Sequence, residues 1–368
     1  DALVSAAKSG TMRGVGVGAL VVSPFRYNPV TGQLRIYRNI RVRITFSPSG
    51  PAVSDLSAWD YSPFFESAIG AMLNAPQAAP SVDAWPAPSD LTHYPVTYLI
   101  MAHEDLNGNA KLAELVAWKR QKGFNVITHY VASTNSIQTN DAWIEEQYAA
   151  LSPKPSFLLI VGDDSGPYTV ASQVNPWEGV SRSDLIYGVV GRHGIGNHIP
   201  SIYVGRFCVR TPADLAAQVD KTIWYEKGQF LVATPDLAYL TAPLGAAGYD
   251  ASNYGQTHGN PQISYGWTHY FNAANGMSNA VHYLDPAAYA RDSEIVGCVD
   301  DGVNLFMYTA HGANDRFDDP RFGISHVDGL GNSGKYPLVV GSCCLTASFG
   351  DDECFGEAWL NAPDRGAI

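Results

Sequence analysis

The sequence is poor in charge, and above all in positive charge. Only 16% of its 368 residues are charged, and 23 Lys and Arg stand against 35 Asp and Glu, which gives a net charge of −12. A nucleic-acid-binding surface needs clusters of basic side chains that neutralise phosphates. The balance therefore excludes a general nucleic-acid-binding protein, and it suits a protein whose substrates are cationic.

Long apolar runs are also missing. The longest, at 96–102 and 156–161, have the length of strands, whereas a membrane helix needs about 20 apolar residues. We therefore predict no membrane span, and the start at Asp1 has no signal-like pattern, so any secretion signal would have been removed. With 46% hydrophobic residues, 35 Gly and 23 Pro, the chain is too apolar for a disordered protein and too interrupted for a coiled coil.

Cysteine is scarce, and its number is odd. Five Cys, of which Cys343 and Cys344 are adjacent, cannot all be paired in disulfides, so at least one free thiol is expected. Metal-binding spacings are absent too: His193 and His198 have no thiol or carboxylate at ligand spacing, and no His-Glu-x-x-His motif occurs. A zinc enzyme is not predicted.

Three regions follow one another along the chain. Residues 1–46 alternate apolar and polar side chains around an Asn-Pro-Val-Thr-Gly turn, which predicts a β-hairpin with one buried face. Residues 47–92 are rich in Pro, Ala and Ser, as in a surface linker. Residues 93–368 alternate strands with helices, which predicts an α/β domain whose mostly parallel sheet carries helices on both faces. Predicted strands lie at 96–102, 124–131, 156–161, 201–207, 238–242, 303–309 and 337–341, and predicted helices at 109–122, 141–151 and 212–227.

Two strand ends carry chemistry. The strand at 303–309 leads into His311 and Gly312, and the strand at 337–341 leads into Cys343 and Cys344. In open α/β sheets ligands bind at the carboxyl ends of strands. An imidazole can stabilise a nearby thiolate and protonate a leaving amine, while backbone N–H groups at Gly312 and at the nucleophile can bind the oxyanion. The alternative is a structural histidine beside ordinary buried thiols.

These residues resemble the catalytic stretches of gingipain-type cysteine peptidases, a family of the caspase-like clan. The resemblance rests on 308–312 (Tyr-Thr-Ala-His-Gly), 344–349 (Cys-Leu-Thr-Ala-Ser-Phe) and 354–358 (Cys-Phe-Gly-Glu-Ala), with further likeness at 183–188, 202–207 and 220–226. Residues 24–46 resemble the tail of the family's N-terminal propeptide. The resemblance implies a caspase-like cysteine peptidase domain at 93–368, preceded by a propeptide remnant.

The resemblance also implies roles for single residues. His311 matches the catalytic histidine, and Cys344 matches the nucleophile because it stands ten residues ahead of Cys354; Cys343 is then a bystander. Asp184 matches a carboxylate at the floor of the primary pocket, which implies cleavage after Arg or Lys, although a helix or turn cap is the alternative reading of this residue. Ala310 replaces a Gly that lines the pocket in the family and is expected to narrow it.

The third catalytic residue, the metal content and the partners are less directly implied. Glu178 is our candidate for the acid that orients His311, with Asp163 and Asp164 as alternatives. No cofactor is needed for catalysis, but structural Ca²⁺ is possible at the acidic clusters 163–164, 318–319 and 351–353. Expected partners are peptides with basic residues and the chain's own propeptide.

The resemblance further implies a secreted or cell-surface protein. We expect the catalytic domain to continue beyond Ile368, because the family has more sheet there. A transpeptidase that processes secretion signals and a catalytically silent, secreted binding module are the alternative functions.

Overall fold

A computed structural model describes residues 3–45, 61–73, 96–174, 182–191, 198–233, 237–248, 255–285, 291–350 and 353–368. Glu178, His193, Asp351 and Asp352 lie outside these residues.

The N-terminal hairpin is fastened to the rest of the chain by one arginine. Strands β1 (Val4–Met12) and β2 (Val15–Val22) pair antiparallel. Arg13, in their two-residue turn, has φ +50° and is only 1% exposed. Its Nη1 donates to the Pro155 carbonyl at 2.6 Å, and its guanidinium lies 5.3 Å from the ring centre of Phe65. A fully buried guanidinium held by carbonyl oxygens and an aromatic face makes the hairpin turn part of the core.

The second hairpin differs from the prediction. Strands β3 (Phe25–Asn28) and β4 (Gln33–Ile36) pair as expected around the predicted turn, but all of their residues are exposed. Residues 41–45 form no strand, and Phe46 lies outside the described residues. The predicted buried face is therefore wrong for β3 and β4. Alternation shows which side chains share a face, and it does not show whether another surface covers that face.

Part of the predicted linker is packed structure. Pro63–Phe65 forms a 3₁₀ turn that leads into α1 (Glu66–Gly70). The Phe65 ring is buried and stacks on Tyr203 with 4.2 Å between ring centres. The prediction of a surface linker is thus wrong for residues 61–73. The two phenylalanines of this stretch supply apolar area for packing, and the Pro- and Ala-rich composition of the surrounding residues 47–92 obscured this signal in the sequence. The other residues of 47–92 are outside the described part, and the predicted domain boundaries stay predictions.

The first sheet has four parallel strands: β5 (Thr97–His103), β6 (Asn125–Val131), β7 (Pro155–Val161) and β10 (Tyr203–Phe207). Their order in the sheet is β10-β7-β5-β6. The helices of this part of the chain are α2 (Ala110–Gln121), α3 (Ile137–Ala150) and α5 (Pro212–Glu226). The two central strands are almost entirely buried, since helices cover both faces. Asn109, Ser136 and Thr211 cap the three helices, as short polar side chains do at helix starts.

The second sheet also has four parallel strands: β11 (Pro243–Ala247), β12 (Val281–Tyr283), β13 (Leu305–Thr309) and β17 (Leu338–Ser342). Their order in the sheet is β12-β11-β13-β17. The helices of this part of the chain are α7 (Asn260–His269), α8 (Asp292–Asp301) and α10 (Phe355–Asn361). The strand predicted at 238–242 is wrong, because Ala238–Thr241 is a 3₁₀ turn and the strand follows it. Strand β11 is rich in Gly and Ala, which have low β-propensity, so the sequence does not reveal it as a strand. Gly245 is required at its position because a Cβ there would lie 2.7 Å from the Trp267 ring.

The two sheets are joined through α5 and α10. The buried Lys221 on α5 donates to the carbonyls of Trp359 and Arg365, both at 3.0 Å. Gln218, one turn earlier, donates to the Asn361 side chain at 2.7 Å. Smaller elements complete the described chain: β8 (Gln173–Val174), β9 (Arg182–Ser183), α4 (Leu185–Gly188), α6 (Phe230–Ala233), β14 (Gly312–Ala313), β15 (Arg316–Phe317), β16 (Phe322–Gly323) and α9 (Ile324–Gly329). None of the described helices is both long and apolar enough to cross a membrane.

Candidate active site

The strand register brings His311 and Cys344 to the same level of the second sheet. Strands β13 and β17 are parallel neighbours, and Thr309 pairs with Ser342 at their carboxyl ends. His311 and Cys344 each stand two residues beyond this pair. Neighbouring strands lie about 4.8 Å apart, so the two loops leave the sheet side by side. Both residues are exposed, as groups that meet a substrate must be.

The two adjacent cysteines have different environments. Cys343 is half-buried, with its Sγ 3.3 Å from the Thr346 hydroxyl, and burial raises the pKa of its thiol. Cys344 is exposed. The next residue, Leu345, has φ +60°, a left-handed conformation that costs a non-glycine residue free energy and is frequent at functional sites. The chain therefore turns sharply at the end of β17, with Cys344 outside and Cys343 inside.

The loop of His311 is held by its own backbone carbonyl. The Tyr308 hydroxyl donates to the His311 oxygen at 2.6 Å, and the Asp318 N–H donates to the same oxygen at 3.1 Å. Tyr308 is buried, its ring stacks on Phe317 with 4.0 Å between centres, and burial raises the pKa of its hydroxyl. Tyr308 thus fixes the histidine loop, a role that its place three residues before the histidine does not reveal in the sequence.

Gly312 lies against the candidate nucleophile loop, residues 342–349, which holds Cys344. A Cβ at this position would lie 2.8 Å from the Cys344 carbonyl oxygen and 2.8 Å from the Thr346 methyl group. Only glycine lets the two loops approach this closely. The predicted pocket residue Ala310 is 5% exposed and packs in the core of the second sheet, and it lines neither of the two cavities described below.

Asp184 has a partner within the chain. Arg206 donates from Nε and Nη2 to its two carboxylate oxygens, each at 2.7 Å, and the side chains are 13% (Asp184) and 4% (Arg206) exposed. Asp184 precedes α4 but makes no capping hydrogen bond. It lines a cavity of about 620 Å³ together with Ala347 and Phe349 of the nucleophile loop. Asp184 therefore shares a cavity with residues three and five positions after Cys344, while its charge is already paired.

A buried acidic cluster forms part of the wall of this cavity, which Cys208 and Glu357 line. Asp163, Cys208 and Glu357 place ligand atoms within 4.8 Å of one another. Burial and the charge of Glu357 raise the pKa of Asp163 to about 7, against the opposing effect of Arg210, whose Nε lies 2.9 Å from the carboxylate. Asp164 pairs with Arg182 at 2.8 Å. Both carboxylates thus have partners, and neither faces His311 in a described contact.

The fit of calcium to this cluster is partial. Glu357 Oε2 accepts from the Cys354 N–H at 2.6 Å, and its Oε1 has no hydrogen-bond partner among the described residues. Calcium prefers six to eight oxygen ligands, whereas the third member here is a thiol. At 318–319, Asp318 accepts from Arg316. Structural calcium therefore stays a prediction, as does Glu178 as the third catalytic residue, because it lies outside the described residues.

Comparisons with known proteins agree with this architecture. The chain is 33% identical to Lys-gingipain W83 of Porphyromonas gingivalis over 97% of its own length and 20% of the relative's. It is 25% identical to gingipain R2 of the same species, over 94% of the chain and 44% of the relative. The chain thus spans less than half the length of these relatives.

Solved structures give the same result for the fold. One described as "Structure of Protease" superposes with a TM-score of 0.64 at 31% identity, covering 76% of this chain and 59% of the other. The Arg-specific cysteine proteinase gingipain R has a TM-score of 0.62 at 22% identity, covering 74% and 60%. These similarities confirm the predicted caspase-like α/β fold.

Family assignment rests on sequence profiles. The C25 propeptide profile matches residues 1–55, and the profile of peptidase family C25 matches residues 92–368. The predicted resemblance is confirmed: the chain belongs to peptidase family C25.

Proposed function

We propose that this chain is a cysteine endopeptidase that cleaves peptides after basic residues, with Cys344 as nucleophile and His311 as its acid–base partner. The observation that carries the proposal is the pairing of Thr309 with Ser342, which sends an exposed histidine and an exposed cysteine out of adjacent strands at one level. The names of relatives specific for Lys and for Arg support the basic substrate class.

The chemistry follows from the two side chains. His311 accepts the thiol proton of Cys344, the thiolate attacks the scissile carbonyl, and the N–H groups of Gly312 and Cys344 bind the oxyanion. The imidazolium then protonates the leaving amine, and an acyl-enzyme remains on the Cys344 sulfur. His311 then removes a proton from a water molecule, which attacks this thioester. The carboxylic acid product leaves, and the Cys344 sulfur is released.

Asp184 is the residue that we propose to select the basic side chain of the substrate. Asp184 lines the cavity that reaches the nucleophile loop, but a substrate cation must share this carboxylate with Arg206. The shared charge discriminates less than an unpaired carboxylate would. Asp184→Asn tests the role: loss of the preference for Lys and Arg over Gln supports it, and an unchanged preference assigns the selection to another residue.

Active-site labelling tests the enzyme proposal. A peptidyl chloromethyl ketone with Lys or Arg next to the reactive group should alkylate Cys344 under reducing conditions, with the site located by peptide mass spectrometry. Cys344→Ser should abolish both labelling and cleavage of Lys and Arg anilides, whereas Cys343→Ser should retain them. Labelling of Cys343 alone would reverse the assignment, and no adduct on either cysteine would favour a silent binding module.

Product analysis separates hydrolysis from acyl transfer. With an added amine, a transpeptidase forms the amide product in preference to the acid, because the amine resolves the acyl-enzyme. We expect the free acid as the main product at millimolar amine.

A further inference from the structure

A second cavity, of about 610 Å³, opens beside the candidate histidine. Charged and titratable side chains line it: Asp292, His311, Arg316, Asp318, Asp319 and Arg321. It differs from the cavity at Asp184, which is lined mainly by apolar residues and by the nucleophile loop. This volume is within the range of small-ligand pockets, so the cavity has room for a Lys or Arg side chain.

The carboxylates around this cavity outnumber the cations. Arg316 donates to Asp318 from Nε and to Asp315 from Nη1, both at 2.8 Å, so its charge is balanced within the loop. Arg321 is exposed, and Asp292 and Asp319 are further carboxylates of the lining. Counting Asp315, four carboxylates stand against two guanidinium groups. The potential of the cavity therefore favours a cation.

Asp292 is the carboxylate with unused hydrogen-bonding capacity. It is the first residue of α8 and partly buried, and its Oδ1 is shielded from solvent with no hydrogen-bond partner among the described residues. Because Oδ1 is shielded, the residue lines the cavity with its other atoms. A substrate ammonium or guanidinium in the cavity would therefore lie beside a negative charge that none of the described residues pairs.

The position relative to the nucleophile identifies the side of the substrate. No residue of 342–349 lines this cavity, whereas His311 does. In the proposed mechanism the histidine protonates the leaving amine, so the residues that follow the cleaved bond lie on the histidine's side. The cavity at Asp184, which Ala347 and Phe349 line, is on the nucleophile's side.

We propose that the cavity beside His311 is a subsite for a basic side chain on the leaving-group side of the scissile bond, with Asp292 as its specificity-determining carboxylate. This inference rests on the proposed peptidase function for the choice of side. It adds a second selection for positive charge, independent of the residue that precedes the cleaved bond.

Binding and cleavage are measured separately to test it. The binding arm uses the Cys344→Ala chain and fluorescent peptides that share one Lys before the bond and carry Lys, Gln or Glu as the first or second residue after it. Fluorescence anisotropy should give at least tenfold tighter binding for Lys than for Glu at one of the two positions. The cleavage arm measures kcat/KM for the same peptides with the unmodified nucleophile.

Matched variants on one helix isolate the carboxylate. Asp292→Asn should reduce the Lys-to-Glu ratio at least threefold in both arms. Glu294→Gln, two residues along α8, removes an exposed carboxylate that pairs with Arg291 and does not line the cavity, so it should leave the ratio unchanged.

The outcomes distinguish the two proposals. Cleavage without discrimination at either position after the bond, or equal effects of the two variants, overturns the subsite and leaves the peptidase intact. Binding that discriminates and depends on Asp292, without cleavage or labelling at Cys344, retains the cation site and overturns the peptidase.

Discussion

The two parallel sheets have the same number of strands but end differently. At the carboxyl edge of the first sheet, the three aspartates 163, 164 and 184 are all paired with arginines. At the corresponding edge of the second sheet, a histidine and a thiol are exposed on loops fixed by a tyrosine hydroxyl and by a glycine. The carboxylates of the first edge are thus engaged within the fold, while the second edge leaves the candidate nucleophile and its histidine exposed.

The largest effect on this contrast is expected from Gly312→Ala. The added methyl would meet the Cys344 carbonyl oxygen and the Thr346 side chain at 2.8 Å, so one of the two loops must move. We expect kcat/KM to fall about 10²-fold or more, the range for loss of an oxyanion donor. Gly297→Ala is the control, because a Cβ there meets nothing within 4 Å. Retained activity in Gly312→Ala would contradict the close apposition of the loops.

The positions of β13 and β17 could be predicted from the sequence because local apolar runs mark them. Apolar runs that end in His-Gly and in Cys-Cys locate β13, β17 and the loops after them, and parallel neighbours bring such ends together. The same reasoning failed where the pairing or burial of a side chain depends on residues distant in the sequence. Nothing near Asp184 reveals that Arg206, 22 residues later, occupies both of its oxygens. Burial of Arg13 and Phe65 likewise depends on surfaces far along the chain, which periodicity does not describe.

The first edge is tested for its structural role by Arg206→Met. This change leaves Asp184 as a largely buried carboxylate without its bidentate partner, and we expect a loss of about 3–5 kcal/mol of folding free energy in urea unfolding. Lys111→Met, which removes exposed pairs with Glu114 and Asp220, should cost less than about 1 kcal/mol. Recovery of stability in the double variant Arg206→Met/Asp184→Leu would identify the unpaired charge as the cause, and a stable single variant would contradict it.

A smaller effect concerns the pH dependence of stability. The pKa of Asp163 is raised to about 7 in the folded chain by burial and by Glu357, from 3.8 as its ordinary value. The folded state therefore holds an extra proton between these values, so stability decreases as the pH rises from about 4 to 7. Asp163→Asn should flatten this dependence by about 1–3 kcal/mol between pH 5 and 8, measured by thermal unfolding. Glu114→Gln, which is exposed, should leave the slope unchanged.

The smallest expected effect compares two buried tyrosines, one from each half of the molecule. Tyr308 donates its hydroxyl proton to the His311 carbonyl at 2.6 Å, and Tyr187 donates to the Ala171 carbonyl at 2.5 Å. Replacing either by Phe removes this donated bond, and Tyr308→Phe also removes the bond that its oxygen accepts from the Asp319 N–H at 3.2 Å. Each lost bond should cost about 1 kcal/mol of stability. Only Tyr308→Phe should also lower kcat, by about three- to tenfold with little change in KM, since it loosens the loop that positions the histidine. Equal effects of the two variants on kcat would contradict this prediction. They would mean that the two edges are coupled, because loss of a hydroxyl at the first sheet would then change the reaction rate at the second.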